Sequence, residues 1–131
     1  LDVPMDYESL KEHAAVLGSG AILVMNEDAS VLEMLDSVLH FFEHESCGQC
    51  SPCRIGTKQL VDIITAFKNG EGSEQELEEM VTLSDMMLNC SLCPLGQSLI
   101  MPVKSAVEHF REEFPTKYQK KEKTAKNRRK I

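Results

Sequence analysis

The sequence contains no tryptophan, and aromatic residues make up only 5% of its 131 residues. Hydrophobic residues make up 42%, so the chain can bury a core, but that core must be built from Leu, Ile, Val and Met. No apolar run approaches the roughly 20 residues of a membrane-spanning helix, so we expect no direct membrane insertion. Nucleotide-binding glycine motifs are also missing, because GSG at 18–20 is only G-x-G and precedes an apolar run.

No secretion signal is visible at the N-terminus, which reads LDVP and lacks an initiating Met. We therefore interpret the sequence as a fragment or a processed chain, and we expect a cytoplasmic location. Five cysteines in a chain without a secretion signal favour metal or redox chemistry over a disulfide framework.

The net charge of −7 is unevenly distributed along the chain. Residues 1–115 carry six basic and twenty acidic residues, whereas residues 116–131 carry eight basic residues and one acidic residue, Glu122. The acidic body argues against nucleic acid as a partner. We expect the basic segment to be a solvated, disordered tail, with contact to an anionic surface as the alternative.

Apolar residues recur at three- and four-residue spacing from about residue 30 onwards, which is typical of helices. Asp28 and Ser30 are candidate caps for the first of these helices, and Ser73 with Glu76 forms an S-x-x-E capping box for the third. The predicted helices have the approximate bounds 30–46, 54–69, 74–88 and 101–114.

Residues 1–29 have a different pattern. A short helix is predicted at 9–16, and the apolar run AILVM at 21–25 predicts a buried strand that is entered through a glycine turn. One strand cannot form a sheet, so this strand is expected to pair with strands that the sequence does not contain, or to pair weakly.

Cys47, Cys50 and Cys53 form a C-x2-C-x2-C run, and Cys93 follows forty residues later with Pro94 after it. Three thiols on one short loop cannot all pair with each other as disulfides, but they can all face one small volume. Cubane iron–sulfur clusters bind four cysteine thiolates, and ferredoxin runs also place a proline after a ligand cysteine. The pattern therefore predicts one [4Fe-4S] cluster and electron transfer.

Zinc is the alternative metal, because zinc sites built from four cysteines are common. Cys90 and Cys93 form a second C-x2-C pair, which could complete such a site with Cys47 and Cys50 or with Cys50 and Cys53. The chain would then be a zinc-stabilised helical binding module without a redox role. For Cys90 itself we favour a buried, inert thiol at the end of the third helix.

These motifs resemble a known family. The run ESCGQCSPCRIG at 45–56 is similar to the E-S-C-G-x-C-x-P-C-R-x-G signature of the NADH-binding flavoprotein subunit of respiratory complex I. Relatives of that subunit include the β subunits of NAD-reducing and electron-bifurcating hydrogenases. SLCPLG at 91–96 resembles the later C-x-L-G loop of the family, residues 4–25 resemble the end of its ubiquitin-like domain, and FREEF at 110–114 resembles its closing helix.

The resemblance implies that Cys47, Cys50, Cys53 and Cys93 bind one [4Fe-4S] cluster, which in this family takes electrons from FMN that NADH has reduced. It also implies that Pro94 and Leu95 contact the flavin. The implied partners are the FMN/NAD-binding domain of the same subunit and other iron–sulfur subunits of a multi-subunit complex. The glycine-rich FMN and NAD(P) domain of the family is absent from this sequence, so we expect the isolated chain to be inactive towards NADH.

The expected fold is therefore mainly α. Residues 1–29 are predicted to be a short α/β remnant of a ubiquitin-like domain, and residues 30–115 a four-helix bundle that carries the [4Fe-4S] cluster. Residues 116–131 are predicted to be the basic tail.

Overall fold

The computed structural model describes residues 2–13, 15–18, 20 and 22–115. Within these residues the structure contains helices and no strand, which confirms the prediction of a mainly α fold. The helices are α1 (Tyr7–Glu12), α2 (Val31–Glu45), α3 (Ser51–Lys68), α4 (Glu74–Cys90), α5 (Pro94–Gln97) and α6 (Ile100–His109), followed by a 3₁₀ turn (Arg111–Glu113). The predicted tail, residues 116–131, lies outside the described residues.

The helix starts follow local capping chemistry. Ser30 is the N-cap of α2, and its hydroxyl accepts a hydrogen bond from the N–H of Glu33. Ser73 is the N-cap of α4 and accepts from the N–H of Glu76, as the capping-box motif predicted. The Glu76 carboxylate in turn accepts from the Ser73 hydroxyl at 2.6 Å.

The four longer helices, α2, α3, α4 and α6, pack around one hydrophobic core. Helix α2 contacts α3 and α6, and α4 contacts α3 and α6. The fully buried aliphatic and sulfur-containing side chains include Leu35, Leu39, Leu60, Ile64, Leu77, Met80, Met87, Leu99 and Val103. As the sequence composition required, aliphatic and methionine side chains supply most of this core.

The 3₁₀ turn after α6 attaches the end of the domain to its beginning. The Glu113 carboxylate accepts a hydrogen bond from the N–H of Val31, the first residue of α2, at 2.8 Å. Phe114 is fully buried and packs edge-to-face on Phe67 of α3, with the ring centroids 5.6 Å apart. Arg111 pairs with Glu74 at the start of α4.

The predicted fourth helix was too long. Helix α6 ends at His109 rather than at residue 114, and the closing segment is the 3₁₀ turn Arg111–Glu113. The sequence pattern could not show that Glu113 turns inwards to cap α2, a contact between residues 82 positions apart.

The predicted buried strand was also wrong. Residues 22–25 form no strand, and the side chains of Ile22, Leu23 and Val24 are 69%, 71% and 86% exposed. An isolated extended segment leaves its backbone N–H and C=O groups without cross-strand partners, so apolar character alone does not make a strand. Residue 21 lies outside the described part of the chain. The short helix before this segment is present as α1, at Tyr7–Glu12 rather than at 9–16.

In the described part of the chain, no helix combines the length and the apolar character that crossing a bilayer requires.

Candidate metal centre

Two cysteines cap the amino ends of helices. Cys50 is the N-cap of α3, and Cys93 is the N-cap of α5. A proline follows each within the first two helical positions, Pro52 in α3 and Pro94 in α5, where a missing N–H breaks no helical hydrogen bond. Helix α3 has 18 residues, so the positive end of its dipole favours an anionic thiolate at its N-cap residue, Cys50.

The Cys50 thiol joins the two cysteine-bearing segments. Hydrogen bonding from the backbone N–H of Leu92, the residue before Cys93, is the main cause that lowers the pKa of the Cys50 thiol. The backbone N–H of Cys53 lowers the pKa of the same thiol further, and burial of the thiol opposes these two effects. Both contacts favour the thiolate, the form that binds metals. The structure thus brings the first cysteine loop and the segment around Cys93 together.

Cys53 is the buried member of the cysteine run, with 5% of its surface exposed. It lies in the first turn of α3, and its carbonyl accepts a hydrogen bond from the Thr57 hydroxyl at 2.9 Å. The Ser46 hydroxyl lies 3.4 Å from the Cys53 sulfur and accepts from the N–H of Gly48 at the same distance. Since Ser46 accepts from Gly48, its own proton can point towards the Cys53 sulfur.

The loop between α2 and α3 makes a tight turn at Gly48. The backbone of Gly48 has φ of +74°, a conformation that glycine adopts without strain. The Arg54 guanidinium donates to the Gly48 carbonyl at 3.2 Å and so ties the loop to the first turn of α3. Cys47, on the outer side of this loop, is exposed.

Gly96 allows the two segments to approach closely. A methyl group added to its backbone would lie 2.5 Å from the Ser91 hydroxyl oxygen and 3.1 Å from the Cys53 Cβ atom. No side chain larger than a hydrogen atom therefore fits there without displacement. The Gln97 amide donates to the Ser91 carbonyl at 2.9 Å and fixes the same turn.

Ser91 is 6% exposed, and its hydroxyl is the only buried side-chain nitrogen or oxygen in the described residues that has no hydrogen-bond partner. Buried hydroxyls are normally hydrogen-bonded, because desolvation without a partner is costly. The hydroxyl faces Gly96 on the side where the Cys53 side chain lies.

The cysteines outside the first loop are both exposed. Cys90 is the last residue of α4 and is exposed, so the prediction of a buried, inert thiol was wrong. The direction in which a helix-end side chain points depends on packing, which the sequence did not reveal. Cys93 is also exposed, as is Pro94, whereas Leu95 is half-buried.

A metal centre would have to fit this donor set. Among the described side chains, no three His, Cys, Asp or Glu residues surround a point at the spacing that a single metal ion needs. A cubane binds each of its four thiolates at a different iron atom, so its ligands lie further apart than the ligands of one ion. Soft thiolates, backbone donors at Cys50 and an unpartnered buried hydroxyl suit such an anionic, sulfur-rich group.

Three residues near the candidate site, Ser46, Ser91 and Leu92, were missed at the level of sequence. Ser91 and the N–H of Leu92 take part through the turn that follows α4, which becomes evident only when this turn packs on α3. Ser46 lies inside the E-S-C-G run, but its contact with Cys53 was not expected.

A known protein family matches the part of the chain that contains the cysteines. Residues 33–117 match the protein family described as the NADH-ubiquinone oxidoreductase-F iron-sulfur binding region. The chain belongs to this family. The match confirms the resemblance drawn from the cysteine runs, and it supports an iron–sulfur cluster in this part of the chain.

Individual members of the family are similar over most of this chain. An NADH-quinone oxidoreductase subunit of Mycobacterium tuberculosis is 38% identical over 114 residues, or 87% of this chain. NADP-reducing hydrogenase subunit HndC of Solidesulfovibrio fructosivorans is also 38% identical over 114 residues. The mitochondrial NADH-ubiquinone oxidoreductase 51 kDa subunit of Neurospora crassa is 34% identical over 116 residues. The chain spans only 26%, 23% and 24% of these relatives, respectively.

The fold is also found in a solved structure. An NAD⁺-reducing [NiFe]-hydrogenase in the H₂-reduced state contains a chain that matches 73% of this one with a TM-score of 0.66 and 29% identity. The match covers 16% of that hydrogenase chain. The family therefore joins NADH dehydrogenase and hydrogenase subunits through a common iron–sulfur region.

Proposed function

We propose that this chain is the electron-transfer domain of an NAD(P)H-linked oxidoreductase and holds one [4Fe-4S] cluster through Cys47, Cys50, Cys53 and Cys93. The observation that carries the proposal is the close approach of Gly96 to Cys53, since a methyl group on Gly96 would lie 3.1 Å from the Cys53 Cβ atom. The turn that begins at Cys93 therefore packs beside the C-x2-C-x2-C loop. When bound, the cluster accepts and releases single electrons.

Several residues around the cysteines would stabilise a bound cluster. Cys50 lies at the positive end of α3, which stabilises an anionic ligand. Gly48 and Gly96 allow the two segments to curl tightly, and Arg54 keeps a positive charge next to the loop. A positive charge near the centre stabilises the reduced, more negative state and so raises its reduction potential.

The proposed electron donor and partners are taken from the family resemblance, and the NADH dehydrogenase and hydrogenase subunits among the relatives support them. We propose that electrons arrive from FMN in an FMN/NAD-binding domain of the same subunit, and leave towards other iron–sulfur subunits of a multi-subunit complex. Pro94 and Leu95 are proposed to face the flavin; Pro94 is exposed and Leu95 half-exposed, so both are accessible to such a partner. Residues 30–115 are proposed to be the four-helix domain that carries the cluster, and residues 1–29 the remnant of a ubiquitin-like domain.

Anaerobic reconstitution of the 131-residue chain with iron and sulfide tests the proposal. We expect about four iron and about four acid-labile sulfide per chain, with an EPR signal that appears on reduction. A chain that takes up stoichiometric zinc without sulfide, and rejects iron and sulfide, would instead be a zinc-stabilised helical binding module.

A further inference from the structure

The Ser91 hydroxyl lies close to the backbone of Gly96 and to the Cys53 side chain. The Ser91 oxygen and the Cys53 Cβ atom both lie within 3.1 Å of the position that a methyl group on Gly96 would occupy. A hydroxyl on the C-cap of α4 is thus held against the first turn of α3.

This hydroxyl has no partner within the described protein. The backbone of Ser91 is satisfied, since its N–H donates to the Met87 carbonyl at 2.9 Å and its carbonyl accepts from Gln97 at 2.9 Å. The oxygen of its side chain is buried and makes no hydrogen bond. Buried hydroxyls are normally hydrogen-bonded, so Ser91 has an unused donor close to the Cys53 side chain that a group bound at the cysteines could accept.

We propose that the Ser91 hydroxyl donates a hydrogen bond to an anionic sulfur of the cluster beside Cys53, and that this hydrogen bond raises the reduction potential of the cluster. The inference rests on the proposed function, because it needs the cluster as the acceptor. A donor to a cluster sulfur stabilises the reduced state more than the oxidised state, because the reduced cluster carries more negative charge on its sulfurs. Ser91 acts as a positioning and tuning residue and is not a ligand.

The role of Ser91 as a hydrogen-bond donor to the cluster can be tested by substituting it in both the metal-free and the cluster-loaded chain. Ser91→Ala removes a hydroxyl that has no partner in the protein, so the metal-free chain should lose no thermal stability. With the cluster bound, the same substitution should shift the reduction midpoint to a lower potential. A hydroxyl with a purely structural role would give a lower melting temperature in the metal-free chain and no shift in potential.

Ser98→Ala is the matched control. Ser98 is exposed, lies seven residues further along the same segment, and its hydroxyl already donates to the Leu95 carbonyl at 3.1 Å. This control should keep the parent potential. Ser91→Thr keeps the hydroxyl and should restore the parent potential, whereas the equally shaped Ser91→Val should behave like Ser91→Ala.

The experiment is an EPR-monitored redox titration of the reconstituted 131-residue chain and these variants, with iron and sulfide counted in each sample. A midpoint in Ser91→Ala equal to that of the parent, with the full complement of iron and sulfide retained, would overturn the inference and leave the proposed function intact. If Ser91→Ala loses the cluster, retention in Ser91→Thr but not in Ser91→Val supports the inference, and equal loss in both overturns it. A parent chain that binds no iron and sulfide would refute the proposed function itself, and the inference with it.

Discussion

The Lys68 ammonium lies 2.6 Å from the Asp36 carboxylate and joins the last turn of α3 to the middle of α2. The two groups differ in exposure, since the side chain of Asp36 is 12% exposed and that of Lys68 is 40% exposed. Their hydrogen bond is the main cause that raises the pKa of Lys68 above its ordinary value. This pair fixes the antiparallel alignment of α2 and α3 near the end of the domain that is remote from the cysteine loop.

Lys68→Met should destabilise the chain, because it leaves the nearly buried Asp36 carboxylate without its strongest partner. In the Asp36→Asn background the same substitution should cost much less, so the double-mutant cycle should show favourable coupling. Urea denaturation of the four chains measures this coupling. Additive effects would show that the two side chains do not interact in solution.

The same pair predicts a dependence on alkaline pH. Because the folded-state pKa of Lys68 is raised, the contribution of the pair is complete below the ordinary lysine pKa of about 10.4 and falls as the pH rises above it. The stability difference between the parent and Asp36→Asn should therefore be constant between about pH 7 and 9 and shrink above about pH 10.5. A difference that grows with pH in that range would contradict this assignment.

Phe114 should be the most sensitive position of the closing segment. It is fully buried against Phe67, and removing a buried phenylalanine side chain costs about 3–5 kcal/mol in the free energy of unfolding. Phe110→Ala is the matched control, because Phe110 is 40% exposed and a surface substitution changes stability by about 0.5 kcal/mol or less. Comparable losses in the two variants would mean that the closing segment does not dock on α3 as described.

The choice of fourth ligand can be tested with two exposed cysteines three residues apart. Cys93→Ser should abolish the cluster or convert it to a different type, whereas Cys90→Ser should leave about four iron and about four sulfide per chain. EPR spectra of the reduced variants, together with metal counts, decide between them. The reverse pattern would identify Cys90 as the ligand, and its exposure at the end of α4 makes this a fair comparison.

Removal of the cluster should loosen the two cysteine segments before it affects the helices. Metal binding is coupled to folding where the site does not exist in the unfolded chain. Residues 46–56 and 89–96 should therefore exchange amide hydrogens faster in the metal-free chain, while α2 and α4 keep much of their protection through their core contacts. Hydrogen exchange on the two forms measures this. Equal protection of both segments would mean that the cluster does not stabilise the fold.

The parts that sequence could predict are those fixed by neighbours along the chain. Ser30 and Ser73 cap helices because each hydroxyl bonds an N–H three residues away, and the apolar spacing within each helix is equally local. The predictions that were wrong depend on residues that are distant along the chain. The run 22–25 has strand-like composition, but a strand needs a neighbour. The segment after α6 carries Glu113, whose partner Val31 lies 82 positions away along the chain.

The candidate site also has features that the sequence shows and features that depend on packing. The sequence itself shows the cysteines on two segments, and their role as cluster ligands stays a prediction. The exposure of Cys90 and the unpartnered hydroxyl of Ser91 depend on how the turn after α4 packs against α3, which no local pattern encodes.

The contact between Glu113 and Val31 has a consequence for how this domain can be recombined with others. It places the entry and the exit of the helical unit side by side, at the start of α2, while the cysteine loop follows the other end of that helix. Fifteen residues of α-helix separate the two ends by about 22 Å. Segments joined before residue 30 or after residue 115 therefore leave from the same end of the helical unit, one helix length away from the cysteine loop.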